Sequence, residues 1–376
     1  MFATKILNSK KEGTIEINYK NFKVSAPSGT SKGQFEAQDY KKDLDSEIKE
    51  LNKLKNNIEK LNINTFEDFK LLENLTKDLG ANSRIALEFA ILKSKGGFKF
   101  LEGKKLPRPL GNVIGGGAHS ENSNLEFQEF LIIDRESKSF FDSAFKNKKV
   151  HQVLFEKLPK LDRNFKDQKT SEGAWCPNLE IEEVLDLLKK VCKKYKLRIG
   201  IDIAASQFYK NGKYQYRDKT LNRDEQIDYV NRLIKKYDLY YVEDPLEEND
   251  FKGFSLISKK NCLVVGDDLT VTNIDRVRKA LINNSINGLI IKPNQCGSLI
   301  EMKEVLNFSN NCNVVNIISH RSGETLDSTI SDLAVGFNIP IIKCGVFGKE
   351  REAKINRLID IEKSLLKNQK YKSKDI

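Results

Sequence analysis

Six apolar runs in the second half of the chain each end on a polar side chain that can bind a ligand or take part in catalysis. In chain order these side chains are Asp202, Glu243, Asp267, Lys292, Ser319 and Lys343. Three carboxylates that meet at one centre repel one another unless a cation lies between them. Oxygen ligands are those that Mg²⁺ prefers. Any one of the acids is also explained as a solvated loop residue, but the regular placement of all three predicts a magnesium site.

Two lysines are expected to face the same centre from other strand ends. A lysine close to a divalent ion and to a second ammonium group has a lowered pKa, so Lys292 or Lys343 can serve as a base at neutral pH. With Arg321 nearby, such a site favours a substrate that carries two anionic groups and an acidic C–H bond beside a carboxylate. The predicted chemistry is proton abstraction through a metal-stabilised enediolate.

The segment Ser319 to Thr325 separates the apolar run Val314 to Ile318 from the helical pattern Leu326 to Phe337. Free backbone N–H groups at the start of a helix, together with an arginine and hydroxyl groups, form a ready anion site. Taken alone, the segment is better explained as an ordinary strand-to-helix loop. The other strand ends favour the anion site.

A leaving group also needs an acid, and two glutamates are candidates. Glu172 lies in a loop before the strand that ends at Asp202, and Glu129 lies within an early apolar strand. An unpaired buried carboxylate is costly, so Glu129 on a core strand indicates a functional role. The glycine run Gly115 to Gly117 before His119 predicts a mobile loop.

The elements that position these residues alternate in a regular way. From about residue 106, short apolar runs alternate with amphipathic helical patterns, which favours a parallel sheet with crossover helices. Consecutive units of this kind predict a (β/α)8 barrel, whose active sites lie at the carboxyl ends of the strands. An open doubly wound sheet is the alternative, but it would not gather six consecutive strand ends around one centre.

The first hundred residues have a different pattern. Two alternating stretches, residues 4–7 and 14–19, predict a hairpin, and helical patterns follow between residues 43 and 95. Residues 26–33 are small and polar and predict a mobile loop. We therefore expect an α+β capping domain at residues 1–105 and a barrel domain at residues 106–376.

Composition limits the classes of function. No apolar run is long enough to span a bilayer, and the first residues lack the apolar core of a signal peptide, so we expect a cytoplasmic protein. The six cysteines form no Cys-x-x-Cys pair and are expected to be reduced thiols. The net charge of +11 fits a solvated basic surface or a weak attraction for polyanions. Nucleic-acid binding is the less favoured interpretation.

Several long segments, in this order along almost the whole chain, resemble those of the enolase family. They are Pro27 to Gly33, Gly116 to His119, Gln128 to Phe130, Val242 to Pro245, Gly266 to Asn273, Lys292 to Gly297 and Ile318 to Thr325. The resemblance implies an enolase-type barrel with a smaller N-terminal α+β domain. It also implies a lyase that reversibly dehydrates 2-phosphoglycerate to phosphoenolpyruvate with Mg²⁺.

The resemblance assigns a role to each site residue. Lys292 would take the C2 proton of the substrate, and Glu172 would protonate the departing C3 hydroxyl group. Lys343 would contact the substrate carboxylate, while Arg321 and Ser322 would hold the phosphate. The implied metal ligands are Asp202, Glu243 and Asp267 for a first ion and Ser31 for a second. The other residues implied to line the pocket are His119, Gln128, Glu129, Ser319 and His320.

The same resemblance implies a homodimer. The segment Asn8 to Thr14, which contacts the second subunit in relatives, departs from the family pattern. Gly115 replaces an asparagine, and Pro293 follows the proposed base. Two alternatives stay open: an enolase-like enzyme that acts on another carboxylate, and a non-catalytic basic binding protein on the same scaffold.

Overall fold

The structure, a computed structural model, describes residues 1–29, 33–120 and 125–372, without the side chains of residue 119 and residues 368–372. Its N-terminal part is a three-stranded antiparallel sheet, in the order β1-β2-β3, followed by helices. The elements are β1 (Phe2–Leu7), β2 (Gly13–Tyr19), β3 (Phe22–Ser25), α1 (Leu44–Lys53), α2 (Lys55–Lys60), α3 (Phe69–Leu75) and α4 (Ala81–Ser94).

The rest of the chain forms a closed barrel of eight strands. Its strands are β4 (Arg108–Gly115), β5 (Glu129–Asp134), β6 (Leu197–Asp202), β10 (Tyr241–Glu243), β11 (Leu263–Gly266), β12 (Gly288–Ile291), β13 (Val315–Ser319) and β14 (Ile341–Gly345). A small separate sheet, between β6 and β10 in the sequence, contains β7 (Tyr209–Lys210), β8 (Lys213–Gln215) and β9 (Thr220–Leu221). The helices are α5 (Phe140–Lys157), α6 (Ile181–Tyr195), α7 (Arg223–Tyr237), α8 (Phe251–Ser255), α9 (Ile274–Ile282), α10 (Pro293–Cys296), α11 (Leu299–Asn311), α12 (Thr329–Gly336) and α13 (Lys349–Lys372). The ring closes because β14 pairs with β4, which rules out the open sheet.

One barrel strand runs against the others. Strand β5 pairs antiparallel with both β4 and β6, whereas the remaining neighbours are parallel. The prediction of an all-parallel sheet was therefore wrong at this strand. No α-helix is described between β4 and β5, and a parallel pair needs such a crossover. The reversal brings Glu129, the first residue of β5, opposite Asp202, the last residue of β6.

The polar strand ends continue the inner face of the barrel. A separate apolar cluster on the barrel strands consists of Leu110, Leu131, Ile133, Tyr241, Leu263, Val265, Ile290, Ile317 and Ile341. Alternate residues of a strand face the same side, so Tyr241 shares its face with Glu243. Other pairs with this two-residue step are Val265 and Asp267, Ile290 and Lys292, Ile317 and Ser319, and Ile341 and Lys343. The alternation of each strand therefore directs its last polar residue into the mouth of the barrel.

Helix α4 joins the two parts of the fold. It contacts β2 and β3 of the N-terminal sheet and also α10 beside the barrel. Residues Ile85 to Leu92 are all buried. A helix that is buried on every side has no solvent-exposed polar face, which explains why this helix lacks an amphipathic pattern although it contains the buried acid Glu88. No described helix is both long and apolar enough to cross a membrane.

An acid inside α4 gives a testable link between pH and stability. The Oε2 atom of Glu88 accepts a 2.7 Å hydrogen bond from the backbone of Leu299, at the start of α11. Burial raises the pKa of Glu88 from 4.5 to about 8. The native state therefore keeps a proton that the unfolded chain releases, so this group's contribution to stability falls as the pH rises from about 4.5 to about 8.

Replacement of this acid by its amide is expected to remove that loss. Glu88→Gln keeps an acceptor for Leu299 and cannot ionise, so the variant should gain stability relative to the wild type as pH rises, by up to roughly 1.4 kcal/mol per unit. Urea unfolding of both proteins at pH 5 and pH 8 measures the difference. Glu304→Gln, at a half-exposed acid on α11, is the control. A difference that does not change between the two pH values would contradict the assignment.

Candidate active site

A cavity at the polar mouth of the barrel collects most of the predicted site. Its lining consists of Gly29, Gln128, Glu129, Glu172, Lys292, Ser319, His320, Arg321, Ser322 and Lys343. The cavity measures about 280 Å³, including solvent at its opening. The predicted catalytic and substrate-binding residues all lie in this lining except His119, whose side chain is outside the described part of the structure. Ser31, the predicted ligand of a second ion, also lies outside the described residues.

Lys343 lies at the centre of a group of buried acids. Its Nζ atom is 2.8 Å from Asp202 Oδ2, 2.8 Å from Glu243 Oε2 and 3.3 Å from Glu129 Oε2. Burial lowers the pKa of Lys343, but the three carboxylates raise it, and the net direction is well above its usual value. The ammonium group therefore reduces the repulsion among acids that face one another in a dry setting.

The second lysine pairs with the third predicted metal ligand. Lys292 Nζ contacts Asp267 Oδ2, and Asp267 Oδ1 accepts a 2.9 Å hydrogen bond from Gln295 Nε2. Burial lowers the pKa of Lys292, the Asp267 carboxylate raises it, and the net direction is upward. A carboxylate in direct contact thus stabilises the charged amine, and the lowered pKa expected for a lysine beside a divalent ion stays a prediction.

The three predicted metal ligands meet the requirements of a hard cation. All are buried, and all offer carboxylate oxygens, which suit Mg²⁺. Burial and the charge of Asp202 raise the pKa of Glu243 to about 8. Glu243 Oε2 accepts a hydrogen bond from the Tyr241 hydroxyl group, while Glu243 Oε1 is buried without a hydrogen-bond partner among the described residues. A buried carboxylate oxygen without a partner is costly, and a cation would relieve that cost.

The predicted set Asp202, Glu243 and Asp267 is not among the groups of side chains that place possible ligand atoms within 4.8 Å of one another in the described part of the chain; two such groups occur there. They are Glu129, Glu172 and His320, and Asp244, Asp267 and Asp268. Asp244 was not predicted as a site residue. It accepts hydrogen bonds from the backbone N–H groups of Asp267 and Asp268 at 3.1 and 2.7 Å. Burial, with the charges of these two neighbours, raises the pKa of Asp244 well above its usual value. Asp244 thus fixes the chain at the end of β11.

Glu172 is held in the cavity from two directions. Asn112 Nδ2, on β4, donates a 3.1 Å hydrogen bond to Glu172 Oε2, and His320 Nε2 lies 3.5 Å from the same oxygen. Burial lowers the pKa of His320. Glu172 is itself buried, in a turn that the Thr170 N–H group closes by donating to the carbonyl group of Ala174 at 2.8 Å. This geometry presents a fixed carboxyl group to the cavity.

The guanidinium group of Arg321 already binds a carboxylate. Its Nη2 atom lies 2.8 Å from Glu36 Oε2 and 3.2 Å from Glu36 Oε1, and its Nη1 atom donates to Asn294 Oδ1 at 3.0 Å. Neither Glu36 nor Asn294 was predicted from the sequence as part of the site. Glu36 stands where an anionic ligand group of Arg321 would lie, so a bound anion must displace it.

Buried cations from α13 support the segment that carries Arg321. Arg351 Nη2 donates to the carbonyl oxygen of Ser322 at 2.7 Å, and Lys354 Nζ donates to that of Thr325 at 2.7 Å. Lys354 also forms an ion pair with Glu324. The sequence alone does not reveal this role, because both cations are indistinguishable in sequence from solvated ones.

The N-terminal part holds the same segment from the other side. The backbone of Ser28 and the backbone of Gly323 exchange two hydrogen bonds, of 2.9 and 2.8 Å. The Ser25 hydroxyl group donates to that of Thr325 at 2.8 Å, and Asn294 Nδ2 donates to the Pro27 carbonyl oxygen at 3.1 Å. The candidate anion site is therefore built from both ends of the sequence.

Comparison with known proteins identifies the family of this chain. Residues 103–376 match the family described as the enolase C-terminal TIM barrel domain. The chain belongs to the enolase family. It is 37% identical over 398 residues to the enolase of Methanosphaera stadtmanae, with 96% of each chain covered. It is 35% identical over 390 residues to the enolase of Thermoplasma acidophilum, with 96% of this chain and 97% of the relative covered.

The enolase family assignment confirms the resemblance seen in the sequence and the predicted type of barrel. A third relative, the enolase of Methanothermobacter thermautotrophicus, is 34% identical over 398 residues, with 96% of this chain and 95% of the relative covered. The family match begins at residue 103, and the predicted domain boundary after residue 105 stays a prediction.

Proposed function

We propose that this protein is a phosphopyruvate hydratase of glycolysis and gluconeogenesis. It reversibly converts 2-phospho-D-glycerate into phosphoenolpyruvate and water, with Mg²⁺ as its cofactor. The observation that carries the proposal is one cavity lined by an amine, a carboxyl group and a guanidinium group, from Lys292, Glu172 and Arg321. These are the base, the acid and the anion-binding group that the dehydration of a phosphorylated hydroxy acid requires.

Lys292 and Glu172 divide the two proton transfers between them. Lys292 takes the hydrogen from C2, and the electron pair stays on the substrate as a carbanion next to its carboxylate. Glu172 then donates a proton to the C3 hydroxyl group, which leaves as water as the double bond forms. Lys292 and Glu172 line the same cavity, which supports this division.

The metal-binding role falls to Asp202, Glu243 and Asp267 at the barrel mouth. Mg²⁺ held there would supply positive charge against the negative charge that develops on the substrate carboxylate. A cation bound by Asp267 would weaken the effect of that carboxylate on the pKa of Lys292, which would favour the neutral amine that a base requires. Ser31 is proposed as a ligand of a second ion.

The substrate itself is positioned by groups on both sides of the cavity. Lys343 contacts the substrate carboxylate, and Arg321 with Ser322 holds the phosphate after Glu36 has moved away. The other proposed contacts are His119, Gln128, Glu129, Ser319 and His320. The presence of Arg321 and Ser322 for the phosphate favours this reaction over that of an enolase-like enzyme for another carboxylate. The presence of two proton-transfer groups in one cavity favours it over a non-catalytic binding protein.

Further proposals rest on the sequence and on the family resemblance. We propose a homodimer in the cytoplasm, made of chains with an N-terminal capping domain at residues 1–105 and a catalytic barrel at residues 106–376. The proposed ligand of the active site is the small-molecule substrate, and neither a membrane nor a nucleic acid is proposed as a binding partner.

An assay of the purified protein tests the proposed function. We expect phosphoenolpyruvate to form from 2-phosphoglycerate when Mg²⁺ is present, to stop forming when the metal is removed with a chelator, and to form again when Mg²⁺ is returned. Ultraviolet absorbance follows the product, and circular dichroism checks that the chain stays folded without metal. A folded, metal-loaded protein that forms no phosphoenolpyruvate would favour the enzyme for another carboxylate.

A further inference from the structure

A histidine with no role in the proposed reaction contacts the loop that carries Glu172, the proposed acid. His151, on α5, is buried, and its ring stacks between two aromatic rings. The ring of Trp175 lies 4.6 Å away at an interplanar angle of 20°, and that of Phe347 lies 5.7 Å away at 11°. The Trp175 Nε1 atom also donates a 2.7 Å hydrogen bond to the His151 carbonyl oxygen. The imidazole plane is therefore fixed.

The edge of this ring points at the backbone of the loop. His151 Nε2 lies 3.0 Å from the carbonyl oxygen of Gly173. A carbonyl oxygen can only accept, so Nε2 carries the hydrogen and donates it. Burial lowers the pKa of His151 to about 4, so the ring is neutral at physiological pH. The Nε2–H donor is thus present at physiological pH.

Gly173 directly follows Glu172, the proposed acid, and the loop is tightly packed at this point. Gly173 has a φ of +81°, and a Cβ atom there would lie 2.4 Å from the carbonyl oxygen of Phe347. A Cβ atom on Gly345 would lie 2.5 Å from the carbonyl oxygen of Glu172. The backbone around Glu172 is therefore pressed against the segment that follows β14, the strand that carries Lys343.

We propose that His151 is a positioning residue for the reaction: its Nε2–H group anchors the Gly173 carbonyl and so fixes the backbone from which Glu172 reaches the leaving hydroxyl group. This inference rests on the proposed function. Because the side chain of Glu172 starts one residue from the anchored carbonyl group, a small rotation of that peptide displaces the carboxyl group within the cavity. A displacement of about 1 Å at a catalytic group costs about 10²-fold in rate.

The two proton transfers make this role measurable separately from a general loss of structure. Lys292 takes the C2 hydrogen and can return a deuteron from solvent, which leaves 2-phosphoglycerate labelled at C2 with no bond to oxygen broken. Formation of phosphoenolpyruvate also breaks the C3–O bond and needs the proton from Glu172. A displaced Glu172 therefore slows elimination, while exchange at C2 continues.

Two substitutions separate the hydrogen bond from the ring stack. His151→Phe keeps a ring between Trp175 and Phe347 but lacks the donor. His151→Gln loses the ring, but its Nε2 atom can occupy the position of the imidazole Nε2 and donate to Gly173. Phe155→Leu is the matched control, because Phe155 stacks on Trp175 at 4.9 Å in the same cluster without a described hydrogen bond to the loop.

For His151→Phe we expect kcat for phosphoenolpyruvate formation to fall about 10²-fold, with KM and the rate of C2 deuterium exchange within a few-fold of the wild type. His151→Gln should recover most of kcat, and Phe155→Leu should retain it. Should His151→Phe fail to fold, His151→Met, which is flexible and also lacks the donor, carries the same expectation.

Three results would overturn the inference: wild-type kcat in the variant without the donor, a parallel loss of exchange and elimination, or equal losses in the glutamine and phenylalanine variants. A wild-type protein that forms no phosphoenolpyruvate would instead overturn the proposed function, so the two failures are distinct.

Discussion

Replacing Lys292 with alanine is expected to lower kcat by about 10² to 10⁴-fold while the chain stays folded. The amine lines the cavity and is the only group proposed to take the C2 hydrogen. Exchange of the C2 hydrogen with deuterated solvent should be lost together with phosphoenolpyruvate formation. This joint loss distinguishes Lys292→Ala from the change at His151, where exchange is expected to continue. Steady-state kinetics and mass spectrometry of the remaining substrate measure the two rates.

Lys292→Ala removes the ion-pair partner of the buried Asp267 carboxylate, which costs stability. We still expect the chain to stay folded, because Asp267 keeps its hydrogen bond from Gln295. Circular dichroism and thermal unfolding test that expectation. Lys349→Ala is the matched control, because the Lys349 side chain is 80% exposed. A variant that retains wild-type turnover would exclude Lys292 as the base and would favour the alternative of a non-catalytic binding protein.

Replacing Lys343 with methionine is expected to have the largest effect on stability. The change leaves Asp202, Glu243 and Glu129 buried without the ammonium group that contacts all three. Removing one partner of a buried ionic group costs about 3 to 5 kcal/mol, because the remaining charge is uncompensated. Turnover should also be lost, since the proposed contact with the substrate carboxylate is gone.

Mg²⁺ should offset part of this destabilisation. A ligand that binds only the native state stabilises it by mass action, and Lys343→Met should gain more than the wild type because its carboxylates no longer pair with the ammonium group. The experiment is urea unfolding of wild type and Lys343→Met, each with chelator and with excess Mg²⁺. Lys349→Met at the exposed position controls for the loss of a charge. If the difference in unfolding free energy is small with chelator, or does not shrink with Mg²⁺, the acids at the barrel mouth are not the cation site we propose.

Most of the site was predictable because strand alternation and barrel closure act together. An apolar strand whose inner residues include Ile290 or Ile341 must direct the residue two positions later to the same side. The alternation within each short strand thus directs Lys292 and Lys343 into the cavity. Glu172 lies in a turn rather than at a strand end, so the sequence alone left it as one of two candidate acids with Glu129, and the family resemblance assigned it the role of the acid.

The features of the fold and of the site that were not predicted from the sequence depend on contacts between residues far apart in the chain. The direction of β5 follows from the absence of a described crossover helix before Glu129, which a pattern of apolar runs does not reveal. The partnership of Glu36 with Arg321 joins residues 285 positions apart. The raised pKa of Lys292 likewise reflects its contact with Asp267 in the folded chain. Sequence periodicity carries no information about such pairs.

The exchange of hydrogen bonds between Ser28 and Gly323 limits how the two parts of this chain can be recombined. A chimera that joined this barrel to an unrelated first hundred residues would keep Arg321 but lose its backbone brace and the buried Ser25 hydroxyl group. The N-terminal part therefore cannot be treated as an interchangeable module. Gly29 of this part lines the candidate cavity, and any donor sequence would have to supply the same two backbone hydrogen bonds to Gly323.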